Sequence, residues 1–291
     1  MKIVPVLQIE QFDEEKTSVE FYSNDLAAHL KKNVAIVYKP HKHDFFLCVV
    51  FLKGSGTHEI DFSSYTIGDG SIFFLKPGQT HSWKFDSQPE GYIFFHTQSF
   101  FEFSIADVKL QQFPFYYSYK NPPNLTLSSL ELEKVTNRFR EINEEYHGKA
   151  TYRKQKLSSL INLTYIDLSR MYTAFDTPEN VVSSTYLKIL SDLERIIEQF
   201  YRTEKQAHFY ADKLNITTKH LNRVTKSTLG KTTTELISER ILLEAKRLIV
   251  HSKSSLARVS EQLGYEDYAY FSRVFKSKTR LTPMEFKKRY Q

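Results

Sequence analysis

Two stretches near the end of the chain carry one pattern. Residues 214–226 read LNITTKHLNRVTK and residues 263–276 read LGYEDYAYFSRVFK. Leu214 matches Leu263, and Asn215 matches Gly264. After a one-residue difference in the turn, Leu221, Asn222, Arg223, Val224 and Lys226 match Phe271, Ser272, Arg273, Val274 and Lys276. Each unit predicts a helix, a tight turn at Asn or Gly, and a second helix with one apolar and one basic stripe. That is helix-turn-helix, twice. Such a segment must bury Phe271, Val274 and Phe275 in a small helical core and turn Ser272, Arg273 and Lys276 outward. Thr217 and Asp267 stand where N-caps of the two second helices belong. Between the units, TELISERILLEAKRLIVHS predicts one long helix with Leu236, Ile237, Ile241, Leu248 and Ile249 as core positions.

Charge says what the outward stripes are for. The chain of 291 residues carries a net charge of +6, unevenly spread. Residues 201–291 hold 19 Lys and Arg against 9 Asp and Glu, and the remainder holds 21 against 25. A basic rear behind a mildly acidic front predicts a polyanion partner. Double-stranded DNA fits better than a membrane surface, because no basic helix is greasier than a core requires. Lys219, Asn222, Arg223 and Lys226 share one helix face by their i, i+3, i+4, i+7 spacing, as do Ala269, Ser272, Arg273 and Lys276. A helix fits the major groove, where Arg bonds guanine and Asn bonds adenine bidentately. The DNA-contact candidates are therefore Thr218, Lys219, Asn222, Arg223 and Lys226 from the first unit, and Tyr268, Ala269, Ser272, Arg273 and Lys276 from the second. Lys226 and Lys276 are assigned to phosphates. Glu261, Glu266 and Asp267 compete for Arg273.

These residues carry a resemblance. Residues from about 184 to 291 resemble the DNA-binding domain of the AraC/XylS family of bacterial transcription regulators. The family signature around the second reading helix is met by Gly264, Tyr265, Asp267, Tyr270, Phe271, Arg273, Phe275, Lys276, Thr282, Pro283 and Phe286. One position departs from it: Gly follows the first reading helix at Gly230, whereas Arg280 follows the second. The resemblance implies two helices in successive major grooves and activation through contact with RNA polymerase.

The front of the chain obeys another period. Residues from about 34 to 103 are rich in Phe, Tyr, Val and Ile, with turn signals at LKGSGT, SYTIGDGS, LKPGQTH and SQPEG, which predicts an antiparallel sandwich or barrel. His81, Trp83 and Phe85 share one face of a run, and Tyr92, Phe94 and His96 share one face of the next. Two amphipathic helices follow, with stripes Leu132, Val135, Phe139, Ile142, Tyr146 and Leu157, Ile161, Thr164, Leu168, Met171. They either cover the barrel or pair with a second copy of the chain, so a homodimer is one candidate assembly. The front resembles a cupin barrel, a sensor fold. Cupin enzymes bind a divalent metal through two His, a Glu and a later His. His41, His43 and His81 match the His positions, but the Glu position holds Leu47, or Cys48 if the spacing is one longer. Leu47 has the parity of His43 and offers no ligand, while Cys48 points the other way.

The expectation is an α+β chain in two domains: residues 1–175 a cupin-like sensor, 176–183 a linker, 184–291 the double helix-turn-helix domain. Its partners are DNA, RNA polymerase and a small-molecule effector at His41, His43, His81 and Trp83. The effector could be a sugar, an aromatic acid or a small polar metabolite. No cofactor, metal or catalytic residue is expected. The other reading is a metal-dependent cupin oxygenase or isomerase with a DNA-binding tail, which the missing Glu disfavours. Apolar runs are too short for a membrane span, the start is no secretory signal, and one cysteine excludes an internal disulfide, so the expected compartment is the cytoplasm.

Overall fold

A computed structural model describes residues 4–12, 20–104, 110, 113–117, 121–173 and 184–290. The chain divides into two compact units, with the boundary between residues 179 and 180. The segment expected as a linker, 176–183, lies outside the described residues. The α+β, two-domain class read from the sequence is the observed one: β-rich in front, helical behind.

The front unit pairs short strands into two main sheets. The larger runs β10 (Asn124–Thr126), β7 (Ser71–Leu75), β4 (Phe46–Lys53), β9 (Glu90–His96) and β2 (Phe21–Asp25), all neighbours antiparallel. The smaller runs β6 (Ser63–Ile67), β5 (Gly56–Ile60) and β8 (His81–Phe85), also antiparallel. A parallel pair, β1 (Val6–Leu7) with β3 (Lys42–His43), and a bridge between His41 and His81 tie the chain entry to the smaller sheet. Ser64–Ile67, expected to open a turn, belongs instead to edge strand β6, whose polar side chains face water. The sheet also takes β2 and β10 from outside the aromatic stretch.

Strand β4 is buried on both faces, and alternation sorts them. Phe51 meets Phe73 and Phe85 between the sheets, at ring-centroid distances of 5.9 and 6.1 Å. Phe46 and Cys48 lie on the opposite face, toward Tyr116 and Tyr165. Helices α1 (Leu26–Lys32), α2 (Val34–Val37), α3 (Gln98–Ser104) and α4 (Pro114–Tyr117) fill the flanks. The two long helices α5 (Ser129–His147) and α6 (Arg153–Thr173) pack on that outer face. Val135, Phe139, Ile142 and Tyr146 are buried on α5, and Leu157, Ile161, Thr164 and Leu168 on α6. Phe139 sits 4.9 Å from Phe94 of β9. Both apolar stripes are thus buried within this unit, that of α5 against the sheet and that of α6 beside α5, α3 and α4.

The rear unit runs α7 (Ser184–Phe200), α8 (Ala207–Lys213), α9 (Thr218–Leu229), α10 (Thr233–His251), α11 (Leu256–Gln262), α12 (Tyr268–Thr279) and α13 (Pro283–Tyr290). Leu221, Val224, Ile237, Ile241, Phe271, Phe275 and Phe286 are buried in its core. Buried Arg240 grips Glu198 with a two-pronged fork at 2.6 and 2.7 Å and lies 4.1 Å over the Tyr201 ring, fastening α10 to α7.

Candidate nucleic-acid interface and sensor cluster

The two reading helices begin and end alike. Thr217 Oγ1 accepts the His220 N–H at 3.1 Å, and the Asp267 carboxylate accepts from Ala269 at 2.7 Å and Tyr270 at 3.2 Å. Both residues are the N-caps the sequence suggested. The turns before them pass through left-handed residues, Asn215 at φ 53° and Gly264 at φ 72°. The helices end on Gly230 and Arg280, both left-handed. Next comes a capping box in each unit: Thr232 with Glu235, then Thr282 with Glu285.

On this frame the outward residues stand as follows. Lys219, Arg223 and Lys226 are exposed on α9, with Thr218 and Asn222 half-buried. Ala269, Arg273 and Lys276 are exposed on α12, with Tyr268 and Ser272 half-buried. Arg223 reaches His220 Nδ1 at 2.6 Å. Two of the three acids that compete for Arg273 are otherwise engaged: Glu261 pairs with Arg258 at 3.1 Å, and Asp267 caps its helix. Asn222 stands apart, because its Oδ1 accepts the Thr233 N–H at 3.0 Å.

In the front unit, His41, His43 and His81 come together between the sheets, joined by a fourth imidazole the sequence reading passed over. His58 lies across from Trp83 on β5, and its Nε2 meets His81 Nδ1 at 3.0 Å. Its signal was parity: His58 and Ile60 share the inward face of a short strand. Ring centroids lie 4.2 Å apart for His41–His81, 5.1 Å for His43–His81 and 5.3 Å for His81–Trp83. Backbone carbonyls set two tautomers: His41 Nδ1 donates to Lys39 O at 2.9 Å and His43 Nδ1 to Phe45 O at 2.7 Å. Their Nε2 atoms therefore carry lone pairs. His43 Nε2, His58 Nδ1, His81 Nε2, Trp83 Nε1 and Thr80 Oγ1 are buried without a protein hydrogen-bond partner.

Burial keeps these imidazoles neutral. Desolvation holds His43 down to about 3, and holds His58 and His81 well below the ordinary value, each imidazolium further disfavoured by its His neighbours. Leu47 stands at the carboxylate position, and no group of three or more His, Cys, Asp or Glu among the described residues is arranged to hold a metal ion. An open groove of about 540 Å³, lined in part by Ala28, Leu30, Tyr38, Phe85 and Pro89, lies one side chain away. Phe85 lines it and sits 6.0 Å from Trp83.

The front unit is a sensor-type β domain and the rear unit a double helix-turn-helix. An AraC-like ligand binding domain matches residues 25–151, and a helix-turn-helix domain matches residues 210–289. Over 269 residues the chain is 20% identical to the HTH-type transcriptional activator RhaR of Escherichia coli (strain K12), covering 86% of this chain and 87% of that protein. RhaR of Shigella boydii serotype 4 (strain Sb227) is similar to the same extent, 20% over 86% and 87%. Among solved structures, unsaturated fatty acid bound wild-type ToxT from Vibrio cholerae strain SCE256 is 17% identical with a TM-score of 0.44, covering 92% of this chain and 95% of that one. The chain belongs to the AraC family of transcription regulators, with a ligand-binding-type domain in front of a DNA-binding one.

Proposed function

We propose that the chain is an effector-responsive transcription activator, with residues 1–175 as sensor unit, 176–183 joining it and 184–291 as DNA-binding unit. In this reading α9 and α12 enter successive major grooves, Arg223 and Arg273 face bases, and Lys226 and Lys276 hold phosphates. Lys219, Tyr268 and Ala269 line the same approach. The observation that carries it is the pair of matched basic faces, exposed on two helices with the same caps. RhaR is named an activator, which supports activation here and RNA polymerase as a partner. A second copy would dock on what α5 and α6 leave outside, where Leu130 and Leu163 are exposed. No helix among the described residues is long and apolar enough to cross a membrane, and a DNA-bound regulator works in the cytoplasm of a bacterium.

For the sensor half, the carrying observation is the set of partnerless polar atoms between the sheets. Each costs about 1–3 kcal/mol if left unmatched, so the cluster is built for a guest. Lone pairs on His41 and His43 ask for donors, and the Trp83 N–H asks for an acceptor. Neutral imidazoles offer a carboxylate no counter-charge. The effector is therefore a small, uncharged, polar molecule, with the groove beside Phe85 as its approach. This reading makes the chain a regulator and not an enzyme.

Selection of full-length protein on randomised double-stranded DNA tests the first half. One enriched sequence with two half-sites a helical turn apart is expected, with log affinity falling linearly as log salt rises. No enrichment and a flat salt response would sink it. For the second half, uncharged polyols and amides should raise the melting temperature and simple carboxylates should not, and Trp83→Phe should remove the response. A response to carboxylates alone would overturn the uncharged-guest reading.

A further inference from the structure

The two reading helices occupy equivalent places, yet one of their matched positions is wired differently. Asn222 of α9 gives its Oδ1 to the N–H of Thr233, the first residue of α10. That N–H is one of the donors a helix leaves without an internal partner. The amide orientation is fixed, because only the oxygen can accept from a backbone N–H. The Nδ2 group is turned away and offers donors only. Bidentate recognition of adenine needs both an acceptor and a donor from the same amide.

In the second unit the corresponding residues are Ser272 and Pro283. Pro283 opens α13 and has no N–H, so the need that Asn222 meets does not arise. Ser272, half-buried on the outward side of α12, makes no side-chain hydrogen bond among the described residues. The rest of the two junctions coincides: left-handed residue, capping box, next helix.

From this we infer that the matched positions divide their labour. Asn222 is a positioning residue that clamps α9 to the start of α10, and Ser272, released by Pro283, is a specificity-determining contact to a base. The inference rests on the reading of α9 and α12 as the DNA-contacting helices.

The test uses the full chain, with selection on randomised double-stranded DNA and thermal melting of each variant. Asn222→Ala should lower the melting temperature and weaken binding to the selected site and to its single-base variants by one common factor, leaving the selected sequence unchanged. Asn222→Asp keeps an acceptor for Thr233 N–H and should restore the melting temperature. Thr233→Pro recreates the second junction; Thr232 already holds φ −75° and ψ 157°, which suits a residue before proline. In that background Asn222→Ala should cost no further stability, since there is no donor left to cap. Ser272→Ala should keep the melting temperature and relax one base pair of the selected sequence. The inference is overturned if Asn222→Ala instead relaxes one base pair, by the roughly 5- to 150-fold that a bidentate contact is worth, or if Ser272→Ala leaves the sequence untouched. Failure of the unmutated protein to enrich any sequence would sink the DNA-contact reading itself, and this inference with it.

Discussion

Arg280 and Gly230, at corresponding ends of the two reading helices, adopt one conformation: φ 62° and ψ 3° for Arg280, φ 64° and ψ 16° for Gly230. Each N–H bonds back into its helix, to Lys276 O at 2.8 Å and Lys226 O at 3.0 Å. The fold therefore imposes the left-handed cap whether or not glycine supplies it. A side chain in that region costs about 1 kcal/mol relative to Gly. Arg280→Gly should raise the stability of the helical unit by about that much, and Gly230→Arg should lower it equally, because nothing stands within 4 Å of a Cβ at Gly230. Denaturant midpoints of the two variants check this. Equal midpoints would mean that Arg280 earns its place through a contact of its own.

Gly264 is held twice over. Its φ of 72° is left-handed, and an added Cβ would overlap the Arg202 carbonyl oxygen and come within 2.8 Å of Lys205 Nζ. Its own carbonyl accepts from Lys205, whose ammonium lies 4.7 Å from the Tyr265 ring. Gly264→Ala should cost about 3 kcal/mol or more, from conformation and backbone displacement together. Asn215→Gly, at the matching turn, should be neutral or mildly stabilising. Thermal melts of both decide it: a tolerated alanine would show that the chain near Arg202 moves aside freely.

The contrast between these turns shows what the sequence discloses. Caps, turns and outward helix faces were legible because they are local: Thr217, Asp267 and Gly230 act within a few residues of themselves, whereas the crowding of Gly264 by Arg202 and Lys205 comes from far off in the chain. The stripes on α5 and α6 were legible as stripes, but what they cover is a long-range fact: Phe139 of α5 packs on Phe94 of the sheet. His58 was passed over because a histidine in a polar-looking strand reads as surface until β8 is laid beside it. Asn222 had the right face and the right chemistry for a base, yet its oxygen is claimed by a backbone donor eleven residues on. Side-chain-to-backbone bonds between elements leave no period in a sequence.

Arg223 and Arg273 should behave as base readers. Replacing either with Ala is expected to cost about 1–3 kcal/mol on the selected site and little on unrelated DNA. Lys226→Ala and Lys276→Ala should instead weaken both alike and reduce the salt slope by about 1 each. Binding isotherms at several salt concentrations, on selected and scrambled duplexes, separate the two behaviours. Equal losses on both duplexes for an Arg variant would demote that residue to a phosphate contact.

The buried histidines predict how the sensor unit responds to acid. Burial is the leading cause in each case: His29 and His43 are lowered to about 3 and His96 to about 4, while His41 is lowered and His58 and His81 lie well below the ordinary value. Unfolded, each would titrate near 6.5. Between that value and the depressed folded one, the unfolded chain binds the additional protons, so stability is complete above about pH 6.5 and falls as pH drops through the window. Each histidine contributes a slope of up to about 1.4 kcal/mol per pH unit. Denaturant midpoints of the full chain, read by a front-unit probe such as the fluorescence of Trp83, should stay level from pH 8 to 7 and then drop steeply toward pH 5. His58→Gln should flatten the drop by one histidine's share. A level midpoint down to pH 5 would mean that the cluster takes up protons without unfolding, and that the imidazoles are wetter than their burial between the sheets implies.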